Sequence, residues 1–251
     1  MLLNWIRKRR HIKAYTGDLA AMNKELQRHL SELKNKKAEV QEDIFDVTVY
    51  ILEENIDLYQ SIITLYKQGH FRSCLILVRN ILENFLNLQY IYADDSEKRA
   101  KNFRLFSALH YLKRVDKVKD MPPEIKKEFS EMRQSTEQDY QPSGNKKGHW
   151  DGKSTREMCV ELKLTIIYED WYSRLSGYTH SQYRGNRDLD HAGPYNNFLR
   201  DLVVKHVSVV GLQTLYKINS KYNLTEDIVI LHDYPQEGAV FLFAVNERTK
   251  G

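Results

Sequence analysis

Leu19, Met22, Leu26, Leu30 and Leu33 recur at steps of three and four residues, and the spacing resumes with Val40, Ile44, Val47 and Ile51. That period predicts two amphipathic helical stretches, arranged as a hairpin or a coiled-coil-like arm. No Gly or Pro interrupts Asp18 to Lys67, and the charged run Lys34 to Glu42 marks a solvent-exposed part of the arm. At Phe71 to Tyr92 the pattern changes. FRSCLILVRNILENFLNLQYIY is apolar on most of a helical circumference, which predicts a buried central helix entered after the break at Gly69. Its polar residues fall in two adjacent stripes, Ser73, Asn80, Asn84 and Asn87 in one, Arg72, Arg79 and Glu83 in the other.

Further along, Asp95 or Ser96 caps a helix over roughly 97–119, with Phe103, Phe106, Leu109 and Leu112 inward. Pro122 and Pro123 stop it and open the next. QPSGNKKGHWDGK, from Gln141 to Lys153, reads as loop, and Ser154 with Glu157 forms a capping box for the helix after it. A helix over 165–183 turns Ile166, Ile167, Trp171 and Leu175 inward, and the last long helix covers 197–222. DIVILHDYPQEGAVFLFAVNE then places two β-prone runs around a Pro-Gln-Glu-Gly turn, a hairpin or an extended tail. An isolated hairpin is marginal in water, so it has to lie on the helical body or on a second subunit. The expectation is a mainly α multi-helix bundle. It comprises a long N-terminal helical arm (1–68), a helical core (69–224) and a small C-terminal β-like appendage (225–251).

Composition changes this picture little. Hydrophobic content of 41% and charged content of 29% are those of an ordinary globular chain, and a net charge of +4 permits anionic partners such as RNA without demanding them. Cys74 and Cys159 sit in apolar or helical surroundings, with neither metal-ligand spacing nor a disulfide framework, which fits a reducing cytoplasm. At the N-terminus, MLLNWIRKRRHIKAY puts its apolar residues before its basic ones, the reverse of a signal peptide. No run approaches the roughly 18 apolar residues of a membrane span. Neither a phosphate-cradling Gly-rich loop nor GxSxG nor HExxH is present. No cofactor is expected. A metal site is not expected either, because His180, His191, Asp188 and Asp190 have no known ligand spacing.

Candidate chemistry gathers in LSGYTHSQYRGNRDLDH, Leu175 to His191. Ser176 and His180, four apart, stack on one helical face with Tyr172 a turn earlier. They form either a nucleophile and base or part of a satisfied polar cluster. Arg79 and Glu83 form either an internal ion pair that orients two helices, or a site in which Glu83 accepts from a His on a facing helix. Both central-helix and 165–183 patterns carry polar pairs within apolar faces, which places Arg79 and Glu83 near Ser176 and His180. Arg184, Arg187 and His191 lie in a Gly-containing loop, where an Arg on phosphate and a His as acid or base make a minimal kit for metal-free RNA cleavage. Trp150 packs over the site mouth or anchors its loop, and Asn84 joins the binding candidates.

RNILE at Arg79 to Glu83 resembles the R-x-x-x-E helix of a bacterial family catalogued as domain of unknown function 5677. WDGKSTREM from Trp150 is similar to that family's W-s-G-k-s-x-r-e-m segment, and WYSRLSGYTH to its Y-x-x-x-S-x-x-x-H helix, here Tyr172, Ser176 and His180. The three blocks, in order, cover roughly 71–180. The resemblance implies an all-helical cytoplasmic protein without an established activity. A fainter one links Arg184 and His191 to the Arg, four to six residues, then His signature of the HEPN superfamily, helical bundles that are often dimeric and frequently cleave RNA in toxin and antiphage systems. In that superfamily a polar residue follows the Arg. Here Gly185 follows Arg184, while Asp188 follows Arg187. Two functions stand open: a non-catalytic interaction module dimerised through the arm, and a metal-independent ribonuclease or toxin-like module.

Overall fold

The computed structural model describes residues 2–36, 42–179 and 193–224, apart from 116 and 119. Every element among the described residues is helical. α1 is Leu2–Lys36, α2 Asp43–Lys67, α3 Phe71–Ala93, α4 Ser96–Val115, α5 Pro123–Asp139 and α6 Thr155–Glu161. A short α7, Thr165–Ile167, runs through a π-helical turn, Tyr168–Tyr172, into α8, Ser173–Thr179; α9 is Gly193–Tyr222. The C-terminal hairpin or tail expected over 225–251 lies outside the described residues.

α1 ends at Lys36 and α2 begins at Asp43, with no Gly or Pro to mark the break. Charge does the work instead. Lys34 and Lys36 occupy the last turn of α1, and Asp43 and Asp46 the first turn of α2, each at the helix end whose dipole it complements. α2 closes in a Schellman motif, His70 N–H donating to Leu65 C=O at 2.9 Å and Gly69 N–H to Tyr66 C=O at 3.0 Å. Gly69 supplies the positive φ (+82°) that this motif requires. The Ser154–Glu157 capping box forms as the sequence predicts.

α3 and α9 form the centre. Residues Phe85 to Ile91 of α3, and His206 to Leu215 of α9, are buried without interruption. α9 packs on α3 and α1, and α2 lies between α1 and α3. Leu19, Met22, Leu26 and Leu33, the stripe read as an arm, are at most 1% exposed and belong to the core that includes Val207 and Leu215. Tyr59 on α2 donates to the carbonyl of Val207 at 2.5 Å, tying α2 to α9. α4 covers α2 and α3, and α5 lies on α4 with no buried residue of its own.

Three points differ from the periodic reading, the first being that α9 begins at Gly193 rather than at 197. α4 stops at Val115, one turn early, where Lys117 N–H and Val118 N–H bond back to Arg114 and Val115 and tighten the chain into i→i+3 turns. The helix expected over 165–183 carries the π turn, which inserts an extra residue into its register. Tyr172 takes the core position expected of Trp171, which is only partly buried, and Leu175 faces inward beyond it; ahead of the turn Ile167 is buried, and Ile166, expected inward, is 69% exposed.

Candidate functional site

Arg79 stands in mid-α3, on the face that α8 covers, and each of its guanidinium nitrogens has a partner. Nη1 pairs with Glu83 Oε2 at 3.0 Å, one turn along the same helix. Nε donates to Ser176 Oγ at 3.1 Å and Nη2 to Tyr172 OH at 2.5 Å, while the guanidinium carbon lies 4.8 Å from the Tyr172 ring centre. The two sequence blocks RNILE and WYSRLSGYTH therefore meet through one arginine. Burial pushes the Tyr172 hydroxyl up from its ordinary value, against the pull of Thr155 and Arg79. Tyr168 stacks on Tyr172 at 5.4 Å, so the π turn backs the ring that meets Arg79 with a second one. The cluster is open on one side: the Arg79 side chain is 18% exposed and that of Glu83 38%. His180, Arg184, Arg187 and His191 lie outside the described residues, which resume at Gly193.

Asn84 belongs elsewhere. Its Nδ2 donates to Asn55 Oδ1 at 2.9 Å, bridging α3 to α2. Trp150 also sits away from Arg79. Its Nε1 donates to Asn87 Oδ1 at 3.0 Å, and its ring meets Tyr90 and Phe103 edge-on. Asn87 is eight residues beyond Arg79, about 12 Å along the helix axis. Trp150 is 7% exposed and anchors the 141–153 loop rather than guarding a site mouth.

Around Trp150 lies a second cluster that periodicity and spacing do not reveal. Asp151, 1% exposed, accepts from the backbone N–H and hydroxyl of Ser143 and from Tyr90 OH at 2.9 Å. Tyr90 OH in turn accepts from Lys153 Nζ at 2.9 Å. Lys153 and Arg99 both hold Glu161, each at 2.6 Å, and the Arg99 guanidinium lies 3.8 Å from the Tyr90 ring centre. Two cations face two carboxylates, so the cluster is neutral. Desolvation works against the charged forms, but Lys153 and Arg99 outweigh it and hold the Glu161 carboxyl below its ordinary value. Gly152 makes the loop possible: φ is +66°, and a Cβ there would stand 2.1 Å from the Gly144 carbonyl oxygen. Gly144 N–H donates to Asp151 C=O at 2.9 Å across that crossing.

His206 is a third position missed by motif spacing, although a lone His in the apolar run VVKHVSVV is a visible signal. Its Nδ1 donates to Leu202 C=O at 2.8 Å, fixing the tautomer, and its ring lies 4.1 Å from that of Trp171. Burial, reinforced by Lys205 and Arg174, lowers its pKa to about 4 despite the Leu202 bond. The two cysteines are buried, with thiols pushed up to about 12 by desolvation, and are inert. No helix among the described residues is long and apolar enough to cross a membrane.

Comparison with curated proteins gives no match, and neither does comparison with solved structures. A family model does match. It covers residues 45–193, more than half of the chain, and so spans the Arg79 cluster, the Asp151 cluster and the π-helical turn. The chain belongs to the family of unknown function DUF5677.

Proposed function

We propose that the protein is a non-catalytic helical interaction module, in which the Arg79 cluster is a clamp between α3 and α8. The observation that carries this reading is that Arg79 holds Glu83, Ser176 and Tyr172 at once. Three of the five N–H donors of the guanidinium are engaged inside the chain, one on each nitrogen, which fixes its plane as a bridge between α3 and α8. Ser176 accepts from a cation that has no basic lone pair, the wrong neighbour for activating a nucleophile. The clamp instead fixes the last helical turn before residues 180–192, whose polar side chains then serve recognition. Dimerisation through α1 would fall to residues 2–15, since the stripe from Leu19 to Leu33 is used within the chain. A cytoplasmic setting suits the two free thiols.

A second reading is a HEPN-like, metal-independent ribonuclease or defence module, with His180 or His191 as acid and base and Arg184 or Arg187 on phosphate. The π-helical turn leading into that segment favours it, because such turns recur at functional sites. The two readings separate on one assay. Wild type, His180→Ala and His191→Ala are expressed in a bacterial host and incubated with RNA in chelator. The interaction reading expects harmless expression and no cleavage by any of them. Cleavage by wild type that His191→Ala abolishes would establish the ribonuclease.

A further inference from the structure

A groove of about 260 Å³ runs between α2 and α4, lined by Asp46, Val47, Tyr50, Phe103, Arg104 and Ser107. Its walls are apolar, and Tyr50 at its lip is 50% exposed, a large aromatic with no cover from its own helices. Arg104 is tied at 2.7 Å to Asp43, so one end is closed by an ion pair. From the groove itself the occupant is an apolar side chain approached by an acidic backbone segment. α4 supplies the reason: it carries Lys98, Arg99, Lys101, Arg104, Lys113 and Arg114 against the single acid Glu97, and with Arg99, Lys101 and Arg104 paired to Glu161, Asp139 and Asp43, five less three leaves +2.

The end of α9 points to which segment that is. Tyr222 contacts α2 directly, its hydroxyl 3.3 Å from Thr48 Oγ1 and its ring edge-on to Phe45 at 5.7 Å. Lys36 Nζ caps the Tyr222 carbonyl at 2.8 Å. α9 therefore ends against α2, the helix that supplies one wall of the groove, on the buried side that carries Thr48. The following residues, 225–246, contain Glu226, Asp227, Asp233 and Glu237 and no Lys or Arg, a charge of −4 set against the +2 that α4 retains. They also contain two apolar runs, Ile228 to Leu231 and Ala239 to Val245, that need cover which two strands alone do not provide.

We infer that the α2–α4 groove is the docking site for an apolar run of residues 225–246 of the same chain. This inference is independent of the interaction and ribonuclease readings. It commits to an intramolecular occupant over a second copy, because α9 ends against α2, one wall of the groove, and the effective concentration of the segment that follows is that of a tether. Long-range attraction between the acidic segment and α4 adds to it and weakens with salt.

Because Cys74 and Cys159 are buried and inert, engineered cysteines report on this contact without interference. In the full chain, Ser107→Cys is combined with Ile230→Cys or with Phe241→Cys and oxidised mildly. Ile166→Cys, on exposed α7, replaces Ser107→Cys as the control. One of the two Ser107 pairs is expected to close into an intramolecular disulfide about tenfold faster than its control, as a docked segment raises effective concentration. Adding Tyr50→Asp, at an exposed position that leaves the fold intact by circular dichroism, is expected to abolish that advantage. Equal rates for both Ser107 pairs and their controls would overturn the inference. So would links that form only between molecules, or a rate that Tyr50→Asp does not change.

Discussion

α3 carries two polar clusters whose chemistry is similar and whose construction is opposite. Near its C-terminal end, Tyr90 sits in a network closed around Asp151, which is 1% exposed and held by neutral donors, while Glu161 takes both cations at the rim and a glycine crossing locks the loop in place. Three turns earlier, Arg79 holds Glu83, Ser176 and Tyr172 in a cluster that stays partly open to water. A buried charge with fixed partners is costly to disturb, whereas a partly solvated one is screened and cheap. The contrast assigns stability to the first cluster and, with residues 180–192 directly beyond it, organisation of a recognition segment to the second.

Breaking the closed network should have the largest effect. Asp151→Ala strands the buried donors of Ser143 and Tyr90 that its carboxylate satisfies. It is expected to cost about 3–5 kcal/mol by urea denaturation. An Asp151→Ala protein as stable as wild type would erase the distinction between the clusters. Next comes pH. His206 has a folded pKa of about 4 against an ordinary 6.5, so the unfolded chain binds the extra proton between those values. Stability contributed by neutral His206 is complete above pH 6.5 and is lost as pH falls toward 4, by at most about 3 kcal/mol. His206→Gln should flatten that part of the stability profile, and a profile of unchanged slope would show that His206 is not the group responsible.

Smaller effects belong to the open cluster. Arg79→Gln should cost about 1–2 kcal/mol, since the side chain is partly solvated and its acceptors can turn to water. Glu83→Gln, on the more exposed partner, should cost under about 1 kcal/mol, and a larger loss would move this cluster into the same class as Asp151.

Much of this was legible in the chain. The three- and four-residue period located α1 to α4, and polar residues inside apolar faces were enough to bring Arg79 opposite Ser176, because a buried charge must find a partner. The π turn was not legible: an inserted residue leaves no composition signal, and its effect appears only as Tyr172 taking the core position expected of Trp171. The Asp151 network was also invisible. It joins Tyr90, Arg99, Ser143, Lys153 and Glu161 from four separate segments, and only the crossing of Gly144 and Gly152 brings them together. Local periodicity reports which side of a helix is buried; it does not report what a loop folds back upon.

Native-state hydrogen exchange on Arg79→Gln tests the assignment most directly, because it reads local opening at both clusters in one sample. The account predicts faster exchange for amides 173–179, with protection of 141–153 and of the α3 core retained. Unchanged protection in 173–179, or loss of protection throughout the molecule, would contradict it.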